Sequence, residues 1–250
     1  MNWVLDLDGV VWLAETPIAG AAAAVARVQA AGEPVVFVTN NSNPTAADYE
    51  DKLARHGIDA HDAVVTSAMA AATLIAPGER VLVCGGPGVV EALATRNAEI
   101  VDEGDADVVL VGFHRDFDYE RMRIASTAVR RGARLVATND DATYPTPDGL
   151  IPGAGSILAG IERASGVRAE VAGKPYPAMA ATVAARLQGQ GVVVGDRPDT
   201  DGRFAAALGY RFALVLTGVV KPDEAGSVDP RPDEIAPDLA TLVDRTLSRD

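Results

Sequence analysis

Short runs of β-branched and large apolar residues alternate with helical patterns along the chain. WVLDL at the start reads as a strand. The alanine-rich IAGAAAAVARVQAAG reads as a helix closed by Gly32 as its C-cap. PVVFVTNNS supplies a second strand and its exit loop. Asn43-Pro44 then predicts a helix start, with Asn43 as N-cap and Pro44 at the first helical position. The alternation resumes from about residue 80, where RVLVCGG, DVVLVGF and ARLVATN read as strands. GVVEALATR, YERMRIASTAVRR and GSILAGIERAS read as the helices between and after them. After Gly173 come a helix over PAMAATVAARLQ, the strand GVVVGD, a helix over RFAAALG and the strand RFALVLTG. KPDEAGSVDPRPDEIAPD, rich in Pro and Asp, reads as a loop before a last helix, DLATLVDRTL. Strands without apolar-polar alternation, separated by helices, predict parallel sheet covered on both faces. The fold class is α/β, in two units, and periodicity alone does not say whether one is inserted into the other.

Composition narrows the partners. The 250 residues are 48% hydrophobic, enough for a sizeable core, and carry a formal charge of −13. That balance argues against nucleic acid or an anionic membrane as a partner of the whole surface, while a local site can still hold a small anion. Cys84 is the lone cysteine, which excludes a disulfide framework and a cysteine metal cluster. No apolar run approaches the roughly eighteen residues of a membrane helix. A strand that starts at Trp3 leaves no room for a signal peptide, so a cytoplasmic protein is expected.

Ligands of open parallel sheets bind beyond the carboxyl ends of the strands. Four such places carry polar groups: Asp6-Leu7-Asp8-Gly9, Thr39-Asn40-Asn41-Ser42, Gly173-Lys174-Pro175, and Gly195-Asp196 with Thr200-Asp201 beyond it. Asp6 and Asp8, two residues apart in extended chain, have Cα atoms about 6–7 Å apart at roughly 3.3 Å per residue. That spacing suits two separate roles, one carboxylate attacking and the other handling a proton. Gly9 lets the backbone approach a ligand. With Asp196 and Asp201 added, four carboxylates repel an anion unless a hard cation such as Mg²⁺ compensates them. Lys174 adds a second positive point, and Thr39 with the amides after it can hold phosphate oxygens.

These four segments, in this order, resemble the motifs of the haloacid dehalogenase (HAD) superfamily. The second motif and ATNDDATYPTPDGLIPGAG resemble its NagD-like, or p-nitrophenylphosphatase-like, branch. The resemblance covers nearly the whole chain. It implies a Rossmann-like parallel-sheet core over residues 1–79 and 172–250 and an inserted α/β cap over 80–171. It implies a Mg²⁺-dependent phosphatase of small phosphomonoesters: sugar, glycerol, glycolate, pyridoxal or nucleotide phosphates. By position, Asp6 attacks phosphorus and forms an aspartyl-phosphate, and Asp8 protonates the leaving alcohol and then activates water. Mg²⁺ is held by the Asp6 carboxylate, the Asp8 carbonyl and Asp196, with Asp201 near its waters or near Lys174. Thr39, Asn40 and Lys174 grip the phosphoryl group, with Gly9 and Asn41 beside them. The dehalogenases of the superfamily lack the second aspartate of the first motif, so Asp8 favours phosphoryl chemistry. The loop Asn139–Tyr144 of the cap is the place for specificity, with Tyr144 and His114 as candidate substrate contacts. Asp140 and His114 depart from the residues common in the family, which leaves substrate identity open. A homo-oligomer through the cap accompanies this reading.

Two other functions stay in play: a non-catalytic phosphometabolite sensor on the same fold, and a phosphotransferase or mutase. Cys84-Gly85-Gly86-Pro87-Gly88 matches no nucleotide-loop pattern and reads as a tight turn into a helix. His56 and His61 read as surface residues. Asp201 also has a bland reading, as a cap of the helix that follows it.

Overall fold

The computed structural model describes residues 1–146 and 149–248, so Pro147 and Asp148 of the NagD-like stretch lie outside the described residues. In chain order the strands are β1 (Asn2–Asp6), β2 (Trp12–Leu13), β3 (Thr16–Pro17), β4 (Val35–Thr39), β5 (Val64–Thr66), β6 (Arg80–Cys84), β7 (Glu99–Val101) and β8 (Val108–Val111). They continue as β9 (Arg134–Ala137), β10 (Thr143–Thr146), β11 (Gly149–Pro152), β12 (Glu170–Val171), β13 (Gly191–Gly195), β14 (Arg211–Val215) and β15 (Glu234–Ala236). The helices are α1 (Ala21–Ala30), α2 (Ala46–Arg55), α3 (Ser67–Ala72), α4 (Pro87–Ala94), α5 (Tyr119–Arg130), α6 (Ala154–Ser165), α7 (Pro177–Ala184), α8 (Arg203–Leu208) and α9 (Leu239–Leu247). The chain forms two compact units: Met1–Thr39, Ala47–Val65 and Val183–Asp250 in the first, Asn40–Ala46 and Thr66–Thr182 in the second.

The first unit is built on a six-stranded sheet in the order β15-β14-β13-β1-β4-β5. β1 runs parallel to both β13 and β4, pairing Leu5 with Val194 on one side and with Phe37 on the other. Numbered along the chain, these strands lie in the order 6-5-4-1-2-3, the doubly wound order, with its topological switch point between β1 and β13. β1 is central and covered on both faces, which is why Trp3, Val4 and Leu5 form an uninterrupted apolar run, all buried. Ala21, Ala24, Val25 and Val28 give α1 a stripe at helical spacing, and Leu239, Leu242 and Val243 do the same for α9. Both stripes join the cluster around β1.

α1 starts at Ala21 rather than Ile18, because the Ile18 N–H donates to Val11 O at 2.9 Å. It ends at Ala30 with Ala31 as its C-cap, and Gly32 follows with φ +75°, a left-handed residue that lets Glu33 N reach Val28 O. α2 begins at Ala46, two residues later than Asn43-Pro44 predicts. Asn43 is spent elsewhere: its N–H donates to Asn41 Oδ1 at 3.1 Å and its carbonyl accepts from Gly88 N at 2.9 Å. The Glu91 carboxylate caps α2 instead, accepting from Ala46 N at 2.7 Å. The proline-rich C-terminal stretch is not all loop. It contains β15, whose pairing with β14 compensates for a run too short to show a pattern.

The second unit is built on a parallel five-stranded sheet in the order β12-β9-β8-β6-β7. Leu82, Cys84, Val109 and Val111 of this sheet pack with Ala125, Ala128 and Val129 of α5 and with Leu158 and Ile161 of α6. Its switch point lies between β6 and β8, and the chain's own segment fills it. Ser42 is fully buried there, accepting from Phe113 N at 3.1 Å and bonded to Thr138 Oγ1 at 2.9 Å. A Cβ on Gly112 would stand 2.8 Å from Ser42 Oγ, and one on Gly86 2.1 Å from Asn43 Oδ1. The glycines around Cys84 thus admit backbone, as a tight turn into α4. Among the described residues no helix is long and apolar enough to cross a membrane.

Cys84 is fully buried, and burial pushes its thiol up to about 12, with the charge of Arg121 opposing in part. The unfolded chain therefore releases this proton first, so stability is undiminished below pH 9.0 and falls between pH 9.0 and about 12. Denaturation curves across that window are expected to fall less steeply for Cys84→Ala than for the native sequence. Native protein at pH 8 should resist a thiol reagent that modifies it fully once unfolded, and prompt native labelling would contradict the burial.

Candidate active site

Asp6 is the last residue of β1, and Asp196 follows β13 directly. The two acids therefore stand at the carboxyl ends of the strands that flank the switch point. Asp201 comes from the π-helical turn Pro198–Gly202, which folds back after β13. Carboxylate oxygens of Asp6, Asp196 and Asp201 all lie within 4.8 Å of one another, and Asp196 and Asp201 are buried. Each carboxylate has one oxygen on a main-chain N–H: Asp6 on Leu7 at 2.8 Å, Asp196 on Val219 at 2.8 Å, Asp201 on Arg197 at 3.1 Å. These bonds fix the carboxylate planes. Asp201 does not cap α8, since its side chain turns back to Arg197.

Three converging carboxylates, two of them buried, are a hard-oxygen donor set for a divalent cation. Octahedral coordination at 2.0–2.1 Å separates ligand oxygens by roughly 3–4 Å, so the observed cluster fits Mg²⁺. Two glycines make the approach possible. A Cβ on Gly9 would stand 2.5 Å from Asp196 Cγ, and one on Gly218 1.9 Å from Asp196 Oδ2. Gly9 also has φ +83°, a conformation that disfavours other residues, and its carbonyl accepts from Thr217 Oγ1.

β1 ends at Asp6, and Asp8 lies beyond it in a turn that closes onto Trp12. The Asp8 carboxylate stands outside the three-carboxylate group and accepts from Trp12 Nε1 at 3.1 Å. Thr39, buried, ends β4 one residue past Val38, which pairs with Asp6, so sheet register puts Thr39 on the same edge.

In the second unit, Lys174 is buried and its main chain is held by Asn40. Asn40 Oδ1 accepts from Lys174 N at 2.7 Å, and Asn40 Nδ2 donates to Lys174 O at 3.0 Å and to Asp141 Oδ2 at 3.0 Å. The Asn40 carbonyl accepts from Ser67 Oγ and Asn139 Nδ2. Asn41 Nδ2 donates to the Tyr144 hydroxyl at 3.3 Å, and Phe113 stacks on Tyr144 with ring centroids 5.5 Å apart. Asp140 accepts from the Tyr176 hydroxyl. His114 packs edge-on against Phe117, and its Nε2 is buried with no hydrogen-bond partner among the described residues. Burial first, then the Arg121 charge, holds its pKa below the usual histidine value, which favours the neutral imidazole.

Sequence reasoning missed Thr217, Gly218 and Val219, the loop after β14 that supports Asp196 and Gly9. The Thr-Gly pair at a strand end was the available signal. It also placed His56 on the surface, whereas the ring is half-buried and packs 6.0 Å from Trp12. His61 is exposed beside Glu50 and Asp62, as a solvated charged surface.

Comparison with known proteins agrees with this geometry. The family described as haloacid dehalogenase-like hydrolase matches residues 3–99, and a HAD-hydrolase-like family matches residues 171–242. A D-glycerol 3-phosphate phosphatase of Mycobacterium tuberculosis is 37% identical over 249 residues, covering 96% of this chain and 70% of the relative. A crystal structure of a glycerol phosphate phosphatase from the same organism, in complex with magnesium, superposes with a TM-score of 0.90 at 37% identity, covering 96% of this chain and 75% of that one. A p-nitrophenyl phosphatase from Archaeoglobus fulgidus superposes with a TM-score of 0.91 at 31% identity, covering 98% of each chain. With family models matching at both ends of the chain and relatives matched along nearly its whole length, the chain belongs to the haloacid dehalogenase-like hydrolases.

Proposed function

We propose that this protein is a Mg²⁺-dependent phosphatase of small phosphomonoesters that works through an aspartyl-phosphate on Asp6. The observation that carries the reading is the convergence of Asp6, Asp196 and Asp201 within 4.8 Å at the switch point of the first sheet. Asp6 and Asp196 through their carboxylates and Asp8 through its carbonyl would hold Mg²⁺, with Asp201 bracing the shell around it. The bound ion supplies charge neutralisation, so that an anionic phosphate can approach three carboxylates.

The residues divide the work. The Asp6 carboxylate attacks phosphorus in line, and the bond to the leaving oxygen breaks. Asp8 gives a proton to the departing alkoxide, then takes one from the water that cleaves the phospho-aspartate. The Thr39 hydroxyl, the main-chain amides of Asn40 and Asn41, and the Lys174 ammonium bind the phosphoryl oxygens, while Gly9, whose N–H is bonded to Trp12 O at 2.7 Å, serves by lacking a side chain there. Asn40 serves this role through its backbone and by holding Lys174. Tyr144 and His114 contact the substrate's leaving group. A phenol hydroxyl and a neutral imidazole suit a small polar alcohol such as glycerol or a sugar.

The domain reading follows the sheets. The six-stranded sheet draws its strands from residues 2–66 and 191–236, and the five-stranded sheet from 80–171, which supports a core of 1–79 and 172–250 with a cap over 80–171, while compactness groups Asn40–Ala46 and the stretches flanking 80–171 with the second unit. A homo-oligomer through the cap and a cytoplasmic setting, with the lone buried Cys84 kept reduced, complete the proposal.

The experiment is phosphate release from a panel of phosphomonoesters with Mg²⁺ present. Release from glycerol and sugar phosphates is expected, and chelation should remove at least ~99% of it, with recovery on adding Mg²⁺ back. Ligand-induced thermal stabilisation without release from any substrate would favour the sensor reading. Phosphate appearing on an added alcohol rather than in solution would favour phosphotransfer.

A further inference from the structure

The first motif closes on a buried tryptophan. Trp12 is 1% exposed and follows Asp8 by four residues, at the start of a small hairpin. Its main chain folds back over the motif: Trp12 N donates to Leu7 O at 3.2 Å, and Trp12 O accepts from Gly9 N at 2.7 Å. The indole Nε1 donates to Asp8 Oδ1 at 3.1 Å. A buried indole N–H requires an acceptor, and here the acceptor is the carboxylate assigned to proton transfer.

The indole is itself held on several sides. Tyr49 stacks on it at 6.4 Å with the ring planes 3° apart, and His56 packs at 6.0 Å. Lys52 Nζ stands 4.3 Å from the ring centroid, where the ring quadrupole attracts it. Lys52 is fixed in turn by Ala14 O at 2.7 Å and Glu15 Oε1 at 3.1 Å. The ring plane is therefore set independently of Asp8.

We propose that Trp12 is the positioning residue of the proton-transfer step: its indole N–H holds Asp8 Oδ1 and so orients the carboxyl group that exchanges the proton. The proposal rests on the reading of Asp8 as general acid and base. An indole N–H donates and cannot accept, so Trp12 takes no proton itself. It can donate to Asp8 both as a carboxylate, where the bond is the stronger, and as a carboxylic acid, and so orients the side chain in both halves of the reaction. In the first half the Asp6–phosphorus bond forms, the phosphorus–oxygen bond to the alcohol breaks, and the proton on the Asp8 carboxyl passes to the alkoxide. In the second half water attacks phosphorus, its proton returns to the Asp8 carboxylate, and the bond from phosphorus to Asp6 breaks.

Leaving-group dependence tests this. A p-nitrophenolate departs without a proton, whereas a glyceryl alkoxide needs one, and kcat/KM reports only the steps through formation of the phospho-aspartate. Trp12→Phe is expected to lower kcat/KM for glycerol 3-phosphate about 10-fold or more while changing that for p-nitrophenyl phosphate less than about threefold. A merely structural role would lower both alike. Asp8→Asn is the control and should lower kcat/KM for glycerol 3-phosphate by about 10²-fold or more. If it does not, the reading of Asp8 fails and the proposal with it. If it does, and Trp12→Phe affects both substrates equally or neither, the role of Trp12 is overturned and that of Asp8 stands. Should Trp12→Phe fold poorly, replacing Trp12 by its benzothiophene isostere keeps the shape, removes the N–H and gives the same readout.

Discussion

Asp6→Asn is expected to lower turnover of p-nitrophenyl phosphate at least ~10³-fold while leaving the protein folded. An amide has the shape of a carboxylate but not its nucleophilicity, so no aspartyl-phosphate forms. The local structure is well placed to accept the change. The amide oxygen of the variant could still accept from Leu7 N, as the Asp6 carboxylate does at 2.8 Å. The amide is nearly isosteric with the carboxylate, so in chelator the variant should melt within a few degrees of the native protein. Steady-state kinetics with saturating Mg²⁺, thermal melting in chelator, and acid-quenched labelling from a radioactive substrate check the three statements. Turnover within tenfold of the native enzyme, or a labelled phospho-enzyme in the variant, would remove Asp6 from the nucleophile's role.

Much of the candidate site was legible because its residues sit next to each other in the chain at element ends. Asp6, Asp8 and Gly9 follow one apolar run, Asp196 follows another, and parallel strands deliver both ends to the same edge. The α/β class was legible for a related reason: β1 and β13 are covered on both faces, so their apolar runs are unbroken. What escaped depends on approach between distant segments. Gly218 looks like any loop glycine until the Asp196 carboxylate is found against it. Asn40 reads as a turn former, yet its amide clamps the main chain of Lys174, 134 positions away. Asn43-Pro44 carries a sound helix-start signal, but Asn43 was already engaged by Gly88 and by Asn41, and the helix waited until Ala46. β15 has only three residues, too few for a periodicity, and exists because β14 offers an edge.

Gly218→Ala is the second change expected to have a large effect, although no chemistry attaches to glycine. Its Cβ would stand 1.9 Å from Asp196 Oδ2 and 2.5 Å from Asp196 Cγ, closer than any real contact. Relief requires moving either the carboxylate or the loop. Val219 N also donates to that same oxygen at 2.8 Å, so shifting the loop breaks the bond that orients Asp196. Either way the Asp196 carboxylate, proposed as a Mg²⁺ ligand, loses its orientation, and a misplaced ligand or its support typically weakens metal binding about 10–100-fold. The Mg²⁺ concentration for half-maximal activity should therefore rise by about that factor, with kcat partly restored at high Mg²⁺. Overpacking should also lower stability by about 1–3 kcal/mol. Activity titrated against Mg²⁺, beside a melting curve, separates the two effects. The steric argument predicts that in an Asp196→Ala background, where the clashing oxygen is gone, Gly218→Ala adds little further loss of stability. An unchanged Mg²⁺ requirement in a folded Gly218→Ala protein would mean that Asp196 does not set metal affinity, and the three-carboxylate site would have to be reassigned.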